Sequence, residues 1–320
     1  MKIAVRAVLL AAGFAAGAAL AQPKVNISIA TGPTGGVYYP LGGGLANVLS
    51  RYVPGYAANA EATAGSVANI QLMAQKKSDV AFTMADAAWD GYKGKEKFSS
   101  GAVPIRTLMV AYPNRMHVVT VQGRGILKFA DLKGKRVSTG APNSATELMA
   151  QRLLEAYGMD WNKDFRRERL TPEKSVDAIK DGRLDAVFFV AGIPVSSFTD
   201  LGATPGAKIL LVDHSDAVEK MNAKYGPLYV KDTIPAKSYP GQEKANDVAT
   251  VQNLIIARED MPADVAYNIV KTIFEKKDDL IAVHKEAASF DLKNQKKEAS
   301  PLPYHPGAAK YFAEKGIKVN

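Results

Sequence analysis

Residues 27–49 read ISIATGPTGGVYYPLGGGLANVL and concentrate groups able to hold a small polar ligand. Gly35 and Gly36 carry no Cβ that would keep a ligand off the backbone, Thr31 and Thr34 offer hydroxyls, and Tyr38 and Tyr39 offer aromatic walls with a polar tip. The elements needed to position them are also there. Val25, Ile27 and Ile29 alternate with polar residues as a strand, and Leu41, Leu45, Val48, Leu49 and Tyr52 recur at helical spacing. Strand, glycine loop and helix aim several backbone N–H groups and a positive helix end at one point, which suits an anion. A tight turn in a Rossmann-like sheet uses the same pattern for backbone geometry alone, and both readings stand on this stretch by itself.

Catalytic chemistry has little to work with. The sequence has no G-x-S-x-G elbow, no G-x-x-x-x-G-K-[ST] loop, no G-x-G-x-x-G fingerprint and no H-E-x-x-H pair. With no cysteine, a disulfide, a thiol nucleophile and a Cys-based metal site are excluded. His117, His214, His284 and His305 share no metal-ligand spacing, so neither a metal nor another cofactor is expected. Asp79 and Asp185 stand just before apolar strands, where turn and capping roles are usual. Asp86 and Asp90 lie on the helix expected after the second strand, where paired-carboxylate catalysis is chemically open but a structural role is the commoner one.

The N-terminus reads as a leader over residues 1–21. Met1, Lys2 and Arg6 form a positive start, residues 7–19 a short apolar core, and Ala19-Leu20-Ala21 a cleavage site. Removing Lys2 and Arg6 from 41 basic residues leaves 39 against 32 acidic ones, a mature charge of about +7, compatible with an anionic ligand. An exported chain without cysteine or a lipid-anchor site points to the periplasm. No later apolar run is long enough to span a bilayer, and the Lys276-Lys277 and Lys296-Lys297 pairs lack the aromatic interleaving of a nucleic-acid patch.

Two stretches share one order of parts. Ser66-Val67-x-x-Ile70 precedes a basic helix end, Asp79 and a buried strand; Ser175-Val176-x-x-Ile179 precedes Arg183, Asp185 and another. Each copy has a Gly/Ser/Thr loop upstream, and matching Ser66 to Ser175 sets the copies 109 residues apart. Strands alternating with helices imply parallel sheets with ligand loops at the C-terminal strand ends. Two such sheets face loops 31–39, 63–66, 138–146 and 190–197 into one cleft. Extended runs at 116–122 and 247–257 read as two hinge strands crossing between the halves. The predicted lobes are 22–118 with 248–320, and 119–247. A helix over 262–277, burying Val265, Ile269, Val270 and Ile273, and a last helix near 306–315 return to the first lobe.

TGPTGGVYYPLGGGLA, TAGSVANIQLM, SDVAFTMAD and the 138–146 loop, in that order along the mature chain, resemble the TAXI-type solute receptors of tripartite ATP-independent periplasmic (TRAP) transporters. Pro33 and Ala64 stand where that pattern has glycine. The resemblance implies a type II periplasmic binding-protein fold: an α/β protein of two lobes with a cleft and a two-strand hinge. It implies a non-enzymatic monomer that captures a small carboxylate, such as glutamate or 2-oxoglutarate, for a TRAP permease. Carried over by position, the ligand contacts would be Gly36 and Tyr38, then Thr63, Gly65 and Ser66, then Asn143, Ser144 and Thr146 from the other lobe, and Gly192, with Thr31 and Gly35 beside them. For Ser66 an ordinary helix cap is an equal reading. No single arginine announces itself as the carboxylate clamp of other TRAP receptors; Arg115 and Arg124, flanking the first crossing strand, are candidates by location alone. A sensory module for a receptor kinase, or an enzyme on the same two lobes, would share most of these features.

Overall fold

The computed structural model describes residues 25–320, so the leader expected over 1–21 lies outside the described residues. The chain opens with β1 (Val25–Ala30), α1 (Tyr38–Tyr52), β2 (Tyr56–Glu61), α2 (Ser66–Ala74), β3 (Val80–Met84) and α3 (Ala85–Lys93). A long strand, β4 (Ile105–Val121), follows. The second series is β5 (Arg136–Ser138), α4 (Ala145–Ala156), β6 (Arg166–Glu168), α5 (Pro172–Lys180), β7 (Ala186–Ala191) and α6 (Ser196–Ala203). Then come β8 (Ile209–Leu211), α7 (Val218–Tyr225), β9 (Tyr229–Ile234), β10 (Asn246–Arg258), α8 (Ala263–Glu275), α9 (Lys277–Val283) and α10 (Pro306–Glu314).

The repeat is carried by strand pairing. β1 lies between β2 and β3, parallel to both, and β5 lies between β6 and β7, parallel to both. Each triple carries the same stitches. The Thr31 N–H donates to the Glu61 carbonyl at 3.1 Å and the Thr139 N–H to that of Glu168 at 3.0 Å. Asp79 accepts from the Ser28 N–H and Asp185 from the Arg136 N–H, both at 2.9 Å. The two aspartates thus tie neighbouring strands together. The S-V-x-x-I match is out of step, because Ser66 opens α2 whereas Ser175 lies a turn inside α5.

Between the triples, β10 and β4 run antiparallel, giving the sheet order β2-β1-β3-β10-β4-β7-β5-β6, with β8 on β4 and β9 on β10. Every residue of β3 and β7 is buried, as in strands covered on both faces. The first crossing strand is much longer than the expected 116–122. Pro113, read from sequence as its boundary, stands inside β4 opposite Gln252, next to a register shift in the ladder. A bulge needs no N–H from that position, so proline is tolerated there.

α8 buries Val265, Ile269, Val270 and Ile273 as their spacing predicts. The chain before α10 returns to the first triple's side of β4, with the Thr107 N–H donating to the Pro303 carbonyl at 3.0 Å and the His305 N–H to that of Thr107 at 2.8 Å. The segment after α9 also reaches the second triple, where Glu286 Oε1 accepts from the Ile193 N–H at 2.7 Å.

His117 on β4 is fully buried, its Nδ1 2.9 Å from the Arg115 carbonyl and its Nε2 2.8 Å from the Tyr239 hydroxyl. Burial pushes the His117 imidazole down to about 3 and that of His214 down to about 4. The unfolded chain, with ordinary histidines near 6.5, then binds more protons than the folded one across that window. The contribution of the two histidines to folding stability is expected to be full above about pH 6.5 and to fall as the pH drops toward 4. His117→Gln, which cannot titrate, should flatten part of that fall in urea melts at stepped pH; an unchanged profile would show that His117 is not held neutral.

Candidate ligand-binding cleft

Three helices begin where the two triples meet. α1 starts at Tyr38 after the glycine loop, with no side-chain cap at Val37. α2 starts at Ser66, and its N-cap position is Gly65 at φ +110°, a conformation that side chains rarely adopt. α4 starts at Ala145, and here Ser144 is the cap, its hydroxyl accepting from the Glu147 N–H at 3.1 Å. First-turn N–H groups have no partner within a helix. Among the described residues, none accepts from the N–H of Tyr38, Ser66, Ala145 or Thr146. These four residues, with Gly36, Gly65 and Ser144, line one cavity of about 30 Å³.

The hydroxyl oxygens nearby already hold the fold together. Ser66 Oγ accepts from the Met84 N–H at 3.1 Å rather than capping its helix, and Thr146 Oγ1 accepts from the Val190 N–H at 3.2 Å. The Tyr38 hydroxyl donates to Asn253 Oδ1, and burial raises its pKa, so the phenol is neutral. A ligand therefore meets backbone N–H groups together with the O–H donors that Ser66 and Thr146 keep. No charged side chain is among the lining residues. Arg115 pairs with Asp232 at 2.8 Å and faces Glu286 at 3.7 Å. Arg124 lies 3.9 Å from Asp185 and donates to the Ile179 carbonyl. Neither arginine reaches the cavity.

Gly36, Tyr38, Gly65, Ser66, Ser144 and Thr146 are therefore brought together, while five other expected contacts lie outside the lining. Thr31 is fully buried, its hydroxyl donating to the Glu61 carbonyl at 2.6 Å. Thr63 donates to Asn69 Oδ1 at 2.6 Å and accepts from the Gly65 N–H at 3.0 Å, shaping the turn into α2. Gly35 touches the second series: its N–H donates to Glu173, and its carbonyl accepts from the Ser196 and Ser197 hydroxyls at 2.9 and 3.2 Å. Asn143, at φ +61°, is exposed and accepts through its carbonyl from the Ala68 N–H at 3.0 Å. At Gly192 a Cβ would meet Glu286 and Tyr112 side chains at 2.7 and 2.8 Å, so this glycine makes room for the packing behind the cleft.

Tyr112, Asn114 and Phe189 also line the cavity and were missed in the sequence. For the first two, the usable signal was the alternation of β4 continuing upstream of Pro113. Tyr112 and Asn114 are each 1% exposed, and Tyr112 Oη and Asn114 Oδ1 have no partner among the described residues.

A second contact joins the series beside the cleft. Arg152 of α4 is buried, with Nη2 2.5 Å from Asp90 and Nη1 3.5 Å from Asp86, both on α3, and the Tyr229 hydroxyl donates to Asp86 at 2.7 Å. Burial pushes the Asp90 carboxyl up to about 6, with Arg152 opposing the shift. The carboxylate pair weighed for catalysis thus faces an arginine instead of the cavity.

A palindromic sheet with a cleft across its centre is the architecture of α/β periplasmic binding proteins, as the sequence led us to expect. The comparisons agree on the fold. A Listeria monocytogenes protein assigned as an L-cystine ABC transporter superposes with a TM-score of 0.51 at 15% identity, covering 82% of this chain and 95% of that one. A Bordetella bronchiseptica RB50 protein gives 0.52 at 17%, covering 91% and 89%. Residues 29–316 match the NMT1-like family, and the chain belongs to that family. No helix among the described residues is long and apolar enough to cross a membrane.

Arg152→Met removes the cation from two buried carboxylates and is expected to cost about 3–5 kcal/mol in urea unfolding. Adding Asp86→Asn and Asp90→Asn should recover most of the loss. A single variant as stable as the parent would show that the cluster does not join the halves.

Proposed function

We propose that this chain is a periplasmic solute-binding protein that captures a small organic anion, a carboxylate such as glutamate or 2-oxoglutarate, and hands it to a membrane permease. The observation that carries the reading is the meeting of three helix N-termini, with free N–H groups, in a cleft without charged side chains. The assignment of one structural neighbour to a transporter fits a role in uptake. The TGPTGGVYYPLGGGLA stretch and its companions favour a TRAP permease as the partner.

In this reading, residues 22–118 with 248–320 form one lobe and 119–247 the other, and they move about β4 and β10. A cavity of about 30 Å³ has room for one or two water-sized groups, so an organic anion enters only when the lobes part. Closing on the anion then draws Gly35 toward Ser196 and Ser197, and Arg152 toward Asp90, with the cleft left wider than about 30 Å³ by the room the anion takes. Tyr38, Gly65, Ser66, Ser144 and Thr146 are the contacts this reading assigns, chiefly through their backbone. Gly36 matters for what it lacks, since a Cβ there would sit 3.2 Å from the Phe189 ring across the cleft.

Calorimetry on the leaderless protein tests the reading. Glutamate or 2-oxoglutarate should bind, and Gly36→Val should abolish the heat while the unliganded melting temperature holds within a few degrees. Small-angle scattering should show a smaller radius of gyration with ligand. Absence of binding by small carboxylates, or identical scattering at saturation, would overturn it.

A further inference from the structure

The hinge ladder presents polar side chains to the cleft that the fold itself does not use. Along β4, Tyr112 and Asn114 line the cleft, whereas Ala111 and Pro113 line a groove on the other face, as strand alternation requires. Tyr112 Oη and Asn114 Oδ1 are buried without partners among the described residues. Beside them on β10, Asn253 accepts from Tyr38 with Oδ1 and keeps Nδ2 unpartnered. Buried polar groups are nearly always hydrogen-bonded, and a hydroxyl and an amide oxygen left open at the wall of a ligand cavity mark where a ligand group belongs.

We propose that the floor formed by Tyr112 and Asn114 selects a hydroxyl on the ligand, so that the preferred solutes are short hydroxycarboxylic acids rather than amino acids. The inference rests on the reading of the cleft as an anion site and names the substrate class within it. The helix N-termini take the carboxylate; the floor takes a neutral group. A hydroxyl donates to Asn114 Oδ1 and accepts from the Tyr112 phenol, and it satisfies the pair whichever way the Asn114 amide is turned. A keto oxygen only accepts, so with Asn114 Oδ1 facing the cavity it leaves that oxygen open.

An ammonium group is matched worse. Both acceptors on the floor are neutral, and no carboxylate lines the cavity. Glu286 is engaged by the Ile193 N–H and lies 3.7 Å from Arg115, on the far side of Gly192. Asp86 accepts from the Tyr229 hydroxyl and faces Arg152. Moving an ammonium ion from water into such a site leaves its charge uncompensated.

Two isosteric series differing only at C2 test this by calorimetry: lactate, propionate, pyruvate and alanine, and 2-hydroxyglutarate, glutarate, 2-oxoglutarate and glutamate. In whichever series binds, the hydroxy acid should bind tightest, at least about tenfold above its deoxy partner, with the amino acid weakest. Tyr112→Phe should reduce the hydroxy-to-deoxy ratio about tenfold while deoxy-acid affinity is kept, which also reports an intact fold. Asn114→Asp should move the preference toward the amino acid. Binding without a hydroxy preference, or with the amino acid tightest in the parent protein, overturns this inference and leaves the anion site standing. No binding by any member of either series sinks both.

Discussion

One antiparallel ladder, β4 against β10, holds the rest of the structure in place. It runs from Thr250 opposite Arg115 to Arg258 opposite Ile105, and each strand extends beyond it into further pairings with the second half. At about 3.3 Å per residue, the 17 residues of β4 span roughly 55 Å, enough to pair along β10, which carries the first triple through β3, and then to carry the second triple through β7. Because both triples hang on this ladder with mirrored strand orders, the C-terminal ends of their strands face each other. The helices that follow those strands therefore start toward a shared point. The register shift beside Pro113 and Gln252 interrupts the ladder near its middle, where a bend between the halves disturbs the fewest hydrogen bonds.

On the function proposed here, the cleft recognises charge without presenting any side-chain charge of its own. A helix end carries about half an elementary charge, concentrated on the free N–H groups of its first turn, and three such ends meet here. Around the cleft, Arg115, Arg124, Arg136 and Arg152 are each held by carboxylates, where they tie strands and helices together. The division has a physical logic. An arginine in the cavity would bind an anion in many poses, whereas fixed N–H vectors would hold it in one and would undergo no reorganisation in the proposed closure.

Much of this was legible in the sequence because it rests on local pattern. The strand, glycine loop and helix over 25–52, the second Gly/Ser/Thr loop and the S-T-G-A-P-N-S loop became β1, α1 and the starts of α2 and α4 through propensity and turn chemistry alone. The duplicated order of parts was visible too, although the serines used to align it sit at different turns of their helices. Roles that depend on distant partners were not visible. Nothing local shows that the Ser66 hydroxyl is taken by Met84, or that Gly35 meets Ser196 across more than a hundred residues of chain. Pro113 masked the upstream half of β4, and Tyr112 and Asn114 with it. A proline in an apolar run reads as a strand end until the bulge opposite it is seen.

The central claim is that backbone N–H groups, not a cation, recognise the anion, and Ala145 offers a direct test. It is the first residue of α4, where proline is tolerated, and Ser144 before it already has the extended conformation that proline requires, at φ −90° and ψ 155°. Ala145→Pro thus deletes one N–H aimed at the cleft and leaves the helix intact. The measurement is the affinity ratio between a bound acid, lactate or 2-hydroxyglutarate, and its primary amide, so that any steric effect of the ring largely cancels. A charge-assisted hydrogen bond contributes roughly 1.5–3 kcal/mol against about 1 for a neutral one, so the ratio should fall by about three- to thirtyfold in the variant. A ratio unchanged by Ala145→Pro but collapsed by Arg115→Ala or Arg124→Ala would contradict the account.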